Sequence, residues 1–216
     1  PYASVRQEGT HLFAGAGAAL KDVSLYAAHC GLTGMEFAVG IPGSIGGAVF
    51  MNAGAYDGEI KTVVESVTAV SLEGGIIRYG RDELEFGYRH SVFQANNQAI
   101  CEVELALSFG ELAVIEDRME SLTERRESRQ PLEMPSAGST FKRPEGYFAG
   151  TLIEQTGLKG FKVGGAQISL KHAGFVVNSG EATAQDVLDL IKEVQDRVYQ
   201  AHGVKLFPEV RMLGEQ

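Results

Sequence analysis

The stretch from Gly40 to Glu59, GIPGSIGGAVFMNAGAYDGE, decides how this chain is to be read. It belongs to the segment 37–58, the densest in glycine, where neither a helical period nor a strand alternation is visible. The segment is therefore expected to be loop. Within it, Gly40, Ile41, Pro42, Gly43, Ser44, Gly46 and Gly47 form a run of closely spaced small residues. Such a run lets backbone approach a ligand and turn N–H groups toward an anion. A compact surface loop is the alternative, and the residues alone leave both open. The run lacks the Lys-Ser/Thr of a Walker loop, and Gly15-Ala16-Gly17 lacks the third glycine of a dinucleotide fingerprint. Asn52 and Tyr56 add a polar handle and an aromatic face, suited to a flat cofactor and also common in loops.

Around this segment the chain is rich in strands. A short strand is expected over 12–17, followed by a helix over 20–30 with Leu20, Val23, Ala27 and Ala28 at near-helical spacing and Gly31 as its cap. Two β-rich runs between Val63 and Tyr79 flank Glu73-Gly74-Gly75 and predict a hairpin. Residues 99–109 alternate, with Cys101, Val103, Leu105, Leu107 and Phe109 on one face and Glu102, Glu104 and Ser108 on the other, which is a half-buried strand. A charged helix over 116–129 follows. Its cluster Arg125, Arg126 and Arg129, interrupted by Glu124 and Glu127, is expected to be a solvated face.

The second half has a different texture. A short helix is expected over 148–156, stopped by Gly157, and a short apolar strand over 174–178. The clearest helix is 183–202, with Thr183 as N-cap, Asp186 three residues on, and an apolar stripe of Val187, Leu190, Ile191, Val194 and Val198. Gly203 ends it, and a final strand carrying Pro208 is expected over 204–213.

Composition narrows the function. The 216 residues are 44% hydrophobic and 22% charged, as in an ordinary globular protein, and suffice for one large domain or two modest ones; two are expected. A formal charge of −9 argues against nucleic acid, which demands clustered cations. No apolar run is long enough to span a bilayer, so no membrane partner and a cytoplasmic location are expected. Cys30 and Cys101 lie in apolar-periodic stretches without metal-ligand spacing; they are expected to be buried thiols, and no metal site is expected.

Three further segments carry candidate chemistry. In FGYRHS, residues 86–91, Arg89 beside Tyr88 could hold a carboxylate through two parallel N–H bonds, or be a surface arginine packed on a ring. In PSAGSTFKRP, residues 135–144, two prolines bracket a polar turn in which Ser139 has Lys142 and Arg143 nearby; an interdomain linker would explain the prolines and serines but not the Thr140-Phe141-Lys142-Arg143 run. A serine without a base is a poor nucleophile, yet it can protonate a strongly basic carbanion. Near the carboxyl end, Glu209 would be a useful acid if buried and an ordinary charge if exposed.

In this order, the segments GIPGSIGGAVFMNAGAYDGE, FGYRHSVF, PSAGSTFKRP, TLIEQTGLKGFKVGGAQIS with KHAGFVVN, and FPEVRMLGE resemble the UDP-N-acetylenolpyruvoylglucosamine reductase family. The resemblance implies an α+β fold: a flavin-binding module of the vanillyl-alcohol oxidase (PCMH) type over 1–128, then a smaller α+β substrate-binding domain over 129–205, with 206–216 as a segment that could fold back onto the first. It implies FAD and NADPH as cofactors and UDP-N-acetylglucosamine enolpyruvate as substrate. By the same resemblance Ser139 gives a proton to C2 of the reduced substrate, while Arg89 and Glu209 polarise its carboxylate. Gly40, Ile41, Pro42, Gly43, Ser44, Gly46, Gly47, Asn52 and Tyr56 would contact the cofactor. Tyr88, Lys142, Arg143 and Gln155 would contact substrate, with Lys162 and Gln167 weaker candidates. The chain opens at Pro1 without methionine, as if partway through a domain, and an earlier flavin subdomain is expected to be missing. Two other readings stay open: a flavin-free UDP-sugar-binding chain, and an oxidoreductase of another substrate on the same scaffold.

Overall fold

The structure, a computed structural model, describes residues 2–214. The chain divides into two compact units, Pro1–Arg126 and Glu127–Gln216.

The first unit is built on β1 (Val5–Glu8), β2 (His11–Gly15), α1 (Leu20–His29), β3 (Leu32–Thr33), α2 (Ile45–Phe50), β4 (Gly54–Ala55), β5 (Gly58–Glu59), β6 (Val64–Val70), β7 (Ile76–Gly80), β8 (Ala99–Ala106), β9 (Ser108–Phe109) and α3 (Leu112–Arg129). Five strands form one antiparallel sheet in the order β1-β2-β8-β6-β7. The expected hairpin is β6-β7, closed by Gly74 at φ 84° and a bond from Ser71 N to Gly75 O of 2.9 Å. On β8 the alternation works as read: Val103 and Leu105 are fully buried. Glu102 and Glu104 stand on the opposite face, and the Glu104 carboxylate accepts from Ser66 Oγ at 2.6 Å and Arg78 Nη2 at 2.5 Å, with His11 Nδ1 at 3.0 Å. The strand stops at Ala106 because Ala106 and Leu107 bond out of the ladder, to Val63 and Thr10, and Phe109 is exposed.

One expectation fails in the glycine-rich segment, which is not all loop. Ser44 caps α2, its Oγ accepting from Gly47 N at 3.2 Å. Two glycines hide the helix from propensity, and at six residues it is too short to show a period. Tertiary burial supplies its stability, through Ile45, Ala48 and Val49 on one side. The cysteines also differ from expectation. Both are half-buried free thiols, Cys30 as the C-cap of α1 and Cys101 near the start of β8.

The second unit contains β10 (Ser136–Ser139), α4 (Ala149–Gln155), β11 (Lys162–Val163), β12 (Ala166–Ile168), β13 (Phe175–Asn178) and α5 (Ala184–His202). The strands form an antiparallel sheet in the order β10-β13-β12-β11. Its core joins Leu152 and Ile153 of α4, Leu190, Ile191, Val194 and Val198 of α5, and Ala166, Ile168 and Val176 of the sheet. Thr183 and Asp186 form a reciprocal capping box, and Gly203 takes φ 69° at the end of α5.

Two further expectations are corrected here. The 135–144 segment is not simply a turn, since its start pairs with β13 as an edge strand, with an irregularity between Ser136 and Ser139. The apolar strand β13 supplies a template that the polar sequence of β10 does not announce. Conversely, 204–213 forms no regular strand: Pro208 has no N–H to donate, and the segment pairs through an isolated bridge to Phe141 while Leu206 is buried in the core and its carbonyl accepts from Gln195 Nε2 at 2.8 Å. The segment's bonds from Lys142 N to Phe207 O and from Glu209 N to Thr140 O, both 2.8 Å, lie within the second unit. Glu215 and Gln216 lie outside the described residues.

Candidate functional site

In the first unit the turn after β2 and the start of α2 are held together by backbone. Gly46 N donates to Ala16 O, Ile45 N to Ala18 O and Leu20 N to Gly43 O, each at 2.9 Å. The Gly46 N–H, and the Gly47 N–H that donates to Ser44 Oγ, are thus spent on the protein rather than offered to an anion. The close approach explains Gly46: a Cβ there would stand 2.8 Å from Ala16 Cβ and 3.0 Å from Ala16 O. Gly17, Ser44, Gly46 and Gly47 line an open groove of about 440 Å³, with Tyr2, Phe50 and Ile100 as apolar walls. Gly43, at φ 109°, has open space where a side chain would be. A groove lined largely by glycines and apolar side chains fits a flat ligand such as a flavin ring.

The other expected cofactor residues lie elsewhere. Asn52 is fully buried at φ 41°, and its amide is committed: Nδ2 donates to Glu59 Oε2 at 2.8 Å and Gly87 O at 2.9 Å, while Oδ1 accepts from Lys61 N at 3.0 Å. It is a structural hub with no polar atom left for a cofactor. Tyr56 is directed at α3, its hydroxyl donating to Leu122 O at 3.2 Å and its ring covered by Arg125. It lines a second, smaller pocket with Glu36, Phe37 and Arg118 instead of the Ser44 groove.

Asn52 also positions Arg89. The arginine takes φ 51°, and its guanidinium donates to the carbonyls of Asn52 and Gly54 at 3.3 and 3.1 Å, with Tyr88 beside it. Ser91 and Gln94 latch the same segment onto Phe50 O at the end of α2, at 2.8 and 2.9 Å. The half-buried Arg89 is therefore held in place, not a mobile surface side chain.

In the second unit Ser139 is exposed and ends β10, its Oγ no nearer than 3.5 Å to Phe141 O. Thr140, buried beside it, receives Val176 N on its hydroxyl and joins Gly174 O and Glu209 N through its backbone. Ser139 and the half-buried Glu209 thus flank one residue and are brought together by the Phe141 to Pro208 bridge. Arg89 belongs to the other unit. Lys142 is exposed, Arg143 lies 4.1 Å over the Phe148 ring, and Gln155 is exposed at the end of α4. Gln167 donates to Gly160 O at 3.1 Å, a structural bond.

Sequence reasoning missed His172. Its Nδ1 accepts Gly174 N–H at 3.0 Å, which leaves the ring hydrogen on Nε2, and burial holds its pKa below the usual histidine value, with Lys159 adding to the effect. A Cβ on Gly174 would lie 2.9 Å from the His172 ring and 3.7 Å from Ser139 Oγ, so the imidazole and the hydroxyl flank that glycine. The only signal was the Lys171-His172-Ala173-Gly174 run itself. Among the described residues no group of His, Cys, Asp and Glu could hold a metal ion, and no helix is long and apolar enough to cross a membrane.

With this geometry established, similarity to known proteins is decisive. Residues 130–213 match the UDP-N-acetylenolpyruvoylglucosamine reductase C-terminal domain, and residues 3–80 match the FAD binding domain. UDP-N-acetylenolpyruvoylglucosamine reductase from Clostridium botulinum (strain Eklund 17B / Type B) is 52% identical over 212 residues, covering 98% of this chain and 70% of that relative. The chain belongs to this reductase family. The relative of the same name from Limosilactobacillus fermentum is 52% identical over 213 residues, covering 99% of this chain and 71% of its own length. The crystal structure of the reductase (MurB) from Thermus caldophilus superimposes with a TM-score of 0.82 at 38% identity, covering 95% of this chain and 73% of that one. The fold is therefore the α+β arrangement of the family, an FAD-binding domain followed by its C-terminal domain.

Proposed function

We infer that the chain is an NADPH-dependent flavoprotein reductase that converts UDP-N-acetylglucosamine enolpyruvate to UDP-N-acetylmuramate through bound FAD, in cytoplasmic synthesis of peptidoglycan precursors. The observation that carries this reading is the family membership, extending over both units. The glycine-lined groove of Gly17, Ser44, Gly46 and Gly47 supports a flavin-binding first unit. FAD, reduced by NADPH, supplies the hydride that goes to C3 of the enolpyruvyl group.

The chain's own residues have to manage the charge that follows. As C3 receives hydride, negative charge develops on C2 and the carboxylate. Arg89, already fixed by the carbonyls of Asn52 and Gly54, loses little freedom on meeting that carboxylate, so its attraction is preorganised. Glu209 is the proposed second carboxylate-polarising group. Ser139 then gives its hydroxyl proton to C2; the enolate-like carbon is basic enough to take it without an adjacent general base. Its exposure at the end of β10, with no strong bond to break, suits a donor that meets substrate. Tyr88, Lys142, Arg143 and Gln155 are the proposed substrate contacts, the two cations matching a diphosphate or carboxylate.

The test is to measure NADPH oxidation by the FAD-loaded chain with and without the enolpyruvyl nucleotide, in the native protein and in Ser139→Ala. The variant is expected to keep flavin reduction by NADPH and to lose nearly all substrate reduction. Equal loss of both half-reactions would remove Ser139 from the proton-donor role. A colourless chain that takes up no FAD would sink the flavoenzyme reading.

A further inference from the structure

Helix α3 turns an apolar stripe inward: Ile115, Met119 and Leu122 pack on Ala28 and Val39. Continued at the same three- and four-residue spacing, the next position on that face is Arg126. A hydrophobic residue is expected there, and a cation stands instead. It is half-buried, and burial pushes its pKa below the usual arginine value, the Tyr56 phenol opposing the shift. Its neighbours on the helix are provided for, Arg118 by Asp57 at 3.2 Å and Arg125 by the Tyr56 ring at 4.8 Å. Among the described residues Arg126 has neither a carboxylate nor a hydrogen-bond acceptor. An uncompensated, partly desolvated cation is costly, so its place calls for an anion that the polypeptide does not supply. The sequence-based expectation of a solvated cluster fails at this one residue.

The position is built for it. The Arg126 stem lies against Gly40, where a Cβ would stand 2.7 Å from Arg126 Cδ and 3.6 Å from Nε. Glycine at 40 thus leaves room for this side chain against the loop that leads through Gly43 to the groove-lining Ser44.

We propose that Arg126 is the counter-cation of the FAD diphosphate, held ready beside the Gly40–Gly43 loop. The proposal rests on the flavoenzyme reading above. Of the flavin's parts, the phosphates carry negative charge in both redox states, so they satisfy a cation that is already in place before reduction. The guanidinium presents its donors in a fork that matches phosphate oxygens.

The experiment titrates this chain, and its Arg126→Gln, Arg126→Lys and Arg126→Met variants, with FAD, with riboflavin and with inorganic pyrophosphate, following flavin fluorescence and backbone amide NMR shifts. Arg126→Gln is expected to weaken FAD and pyrophosphate by about tenfold or more, the loss of one charge-assisted hydrogen bond, with riboflavin unchanged. Arg126→Lys is expected to recover part of the loss. Arg126→Met keeps the apolar stem on Gly40, so it should melt no lower than the native chain without ligand, as a purely structural arginine would not allow. Equal FAD affinity in native and Gln proteins overturns the proposal, and so does a riboflavin loss as large as the FAD loss. A native chain that binds no FAD refutes the flavoenzyme reading instead; the pyrophosphate arm then decides Arg126, and absence of Arg126-dependent shifts overturns the proposal.

Discussion

Replacing Gly46 by alanine tests whether close backbone packing, rather than flexibility, is what the glycine-rich loop requires. The new methyl would stand 2.8 Å from Ala16 Cβ and 3.0 Å from Ala16 O, inside the ~3.5–4.0 Å at which carbon atoms attract one another. Neither obstacle can rotate away, because one is the first carbon of its side chain and the other is backbone. Relief requires α2 to move off the β2 turn, stretching the 2.9 Å bond from Gly46 N to Ala16 O. Overpacking of this kind costs roughly 1–3 kcal/mol, against a helix-propensity gain of about 0.5–1 kcal/mol for alanine over glycine. A net loss of up to roughly 2.5 kcal/mol remains. Gly47 is the control, one residue along the same helix, where a Cβ would meet only Ser44 Oγ at 3.5 Å. Gly47→Ala should hold or slightly raise stability while placing a methyl on the groove lining. Urea unfolding followed by circular dichroism separates the two, and FAD titration reads the groove. If Gly46→Ala and Gly47→Ala unfold at the same midpoint, the packing argument is refuted.

Three further outcomes are expected. Thr183→Ala should cost about 1 kcal/mol in urea unfolding, because the capping oxygen that receives Asp186 N at 3.1 Å is lost; an unchanged midpoint would mean the box contributes nothing. The Glu104 carboxyl is pushed up by burial but held below its ordinary value of 4.5 by the Ser66 and His11 hydrogen bonds and Arg78. Its contribution is therefore complete above that ordinary value and lost as pH falls through the lower folded value, so Glu104→Gln should flatten the acid limb of stability against pH; a limb of unchanged slope would contradict this. Asn52→Ala strips partners from Lys61 N and Gly87 O and loosens the loop that holds Arg89. It should destabilise the protein by at least ~2 kcal/mol, and a midpoint equal to the native one would deny the hub role.

Much of the architecture was legible in sequence because it rests on local signals. The alternation of β8, the hairpin at Gly74, and the Thr183 to Gly203 punctuation of α5 each need only neighbours along the chain. The misreadings share a different cause. Helix α2 and strand β10 have poor intrinsic signals and exist because buried partners, the sheet under Ile45 and Val49 and the apolar β13, give them somewhere to pack. The 204–213 segment has good β composition, but its backbone pairs with the short Thr140–Lys142 stretch around a proline that has no N–H, so it stays irregular.

The site divides along the same line. Motif order alone identified the family and singled out Ser139, Arg89 and Glu209. Only tertiary structure set Glu209 beside Thr140, spent the Asn52 amide inside the protein, turned Tyr56 toward α3, and revealed His172 against Gly174. Only tertiary structure, too, separated Arg126 from its solvated neighbours. A residue's chemistry is written in its side chain, but whether that chemistry is spent or available depends on which distant groups the fold brings within about 3 Å.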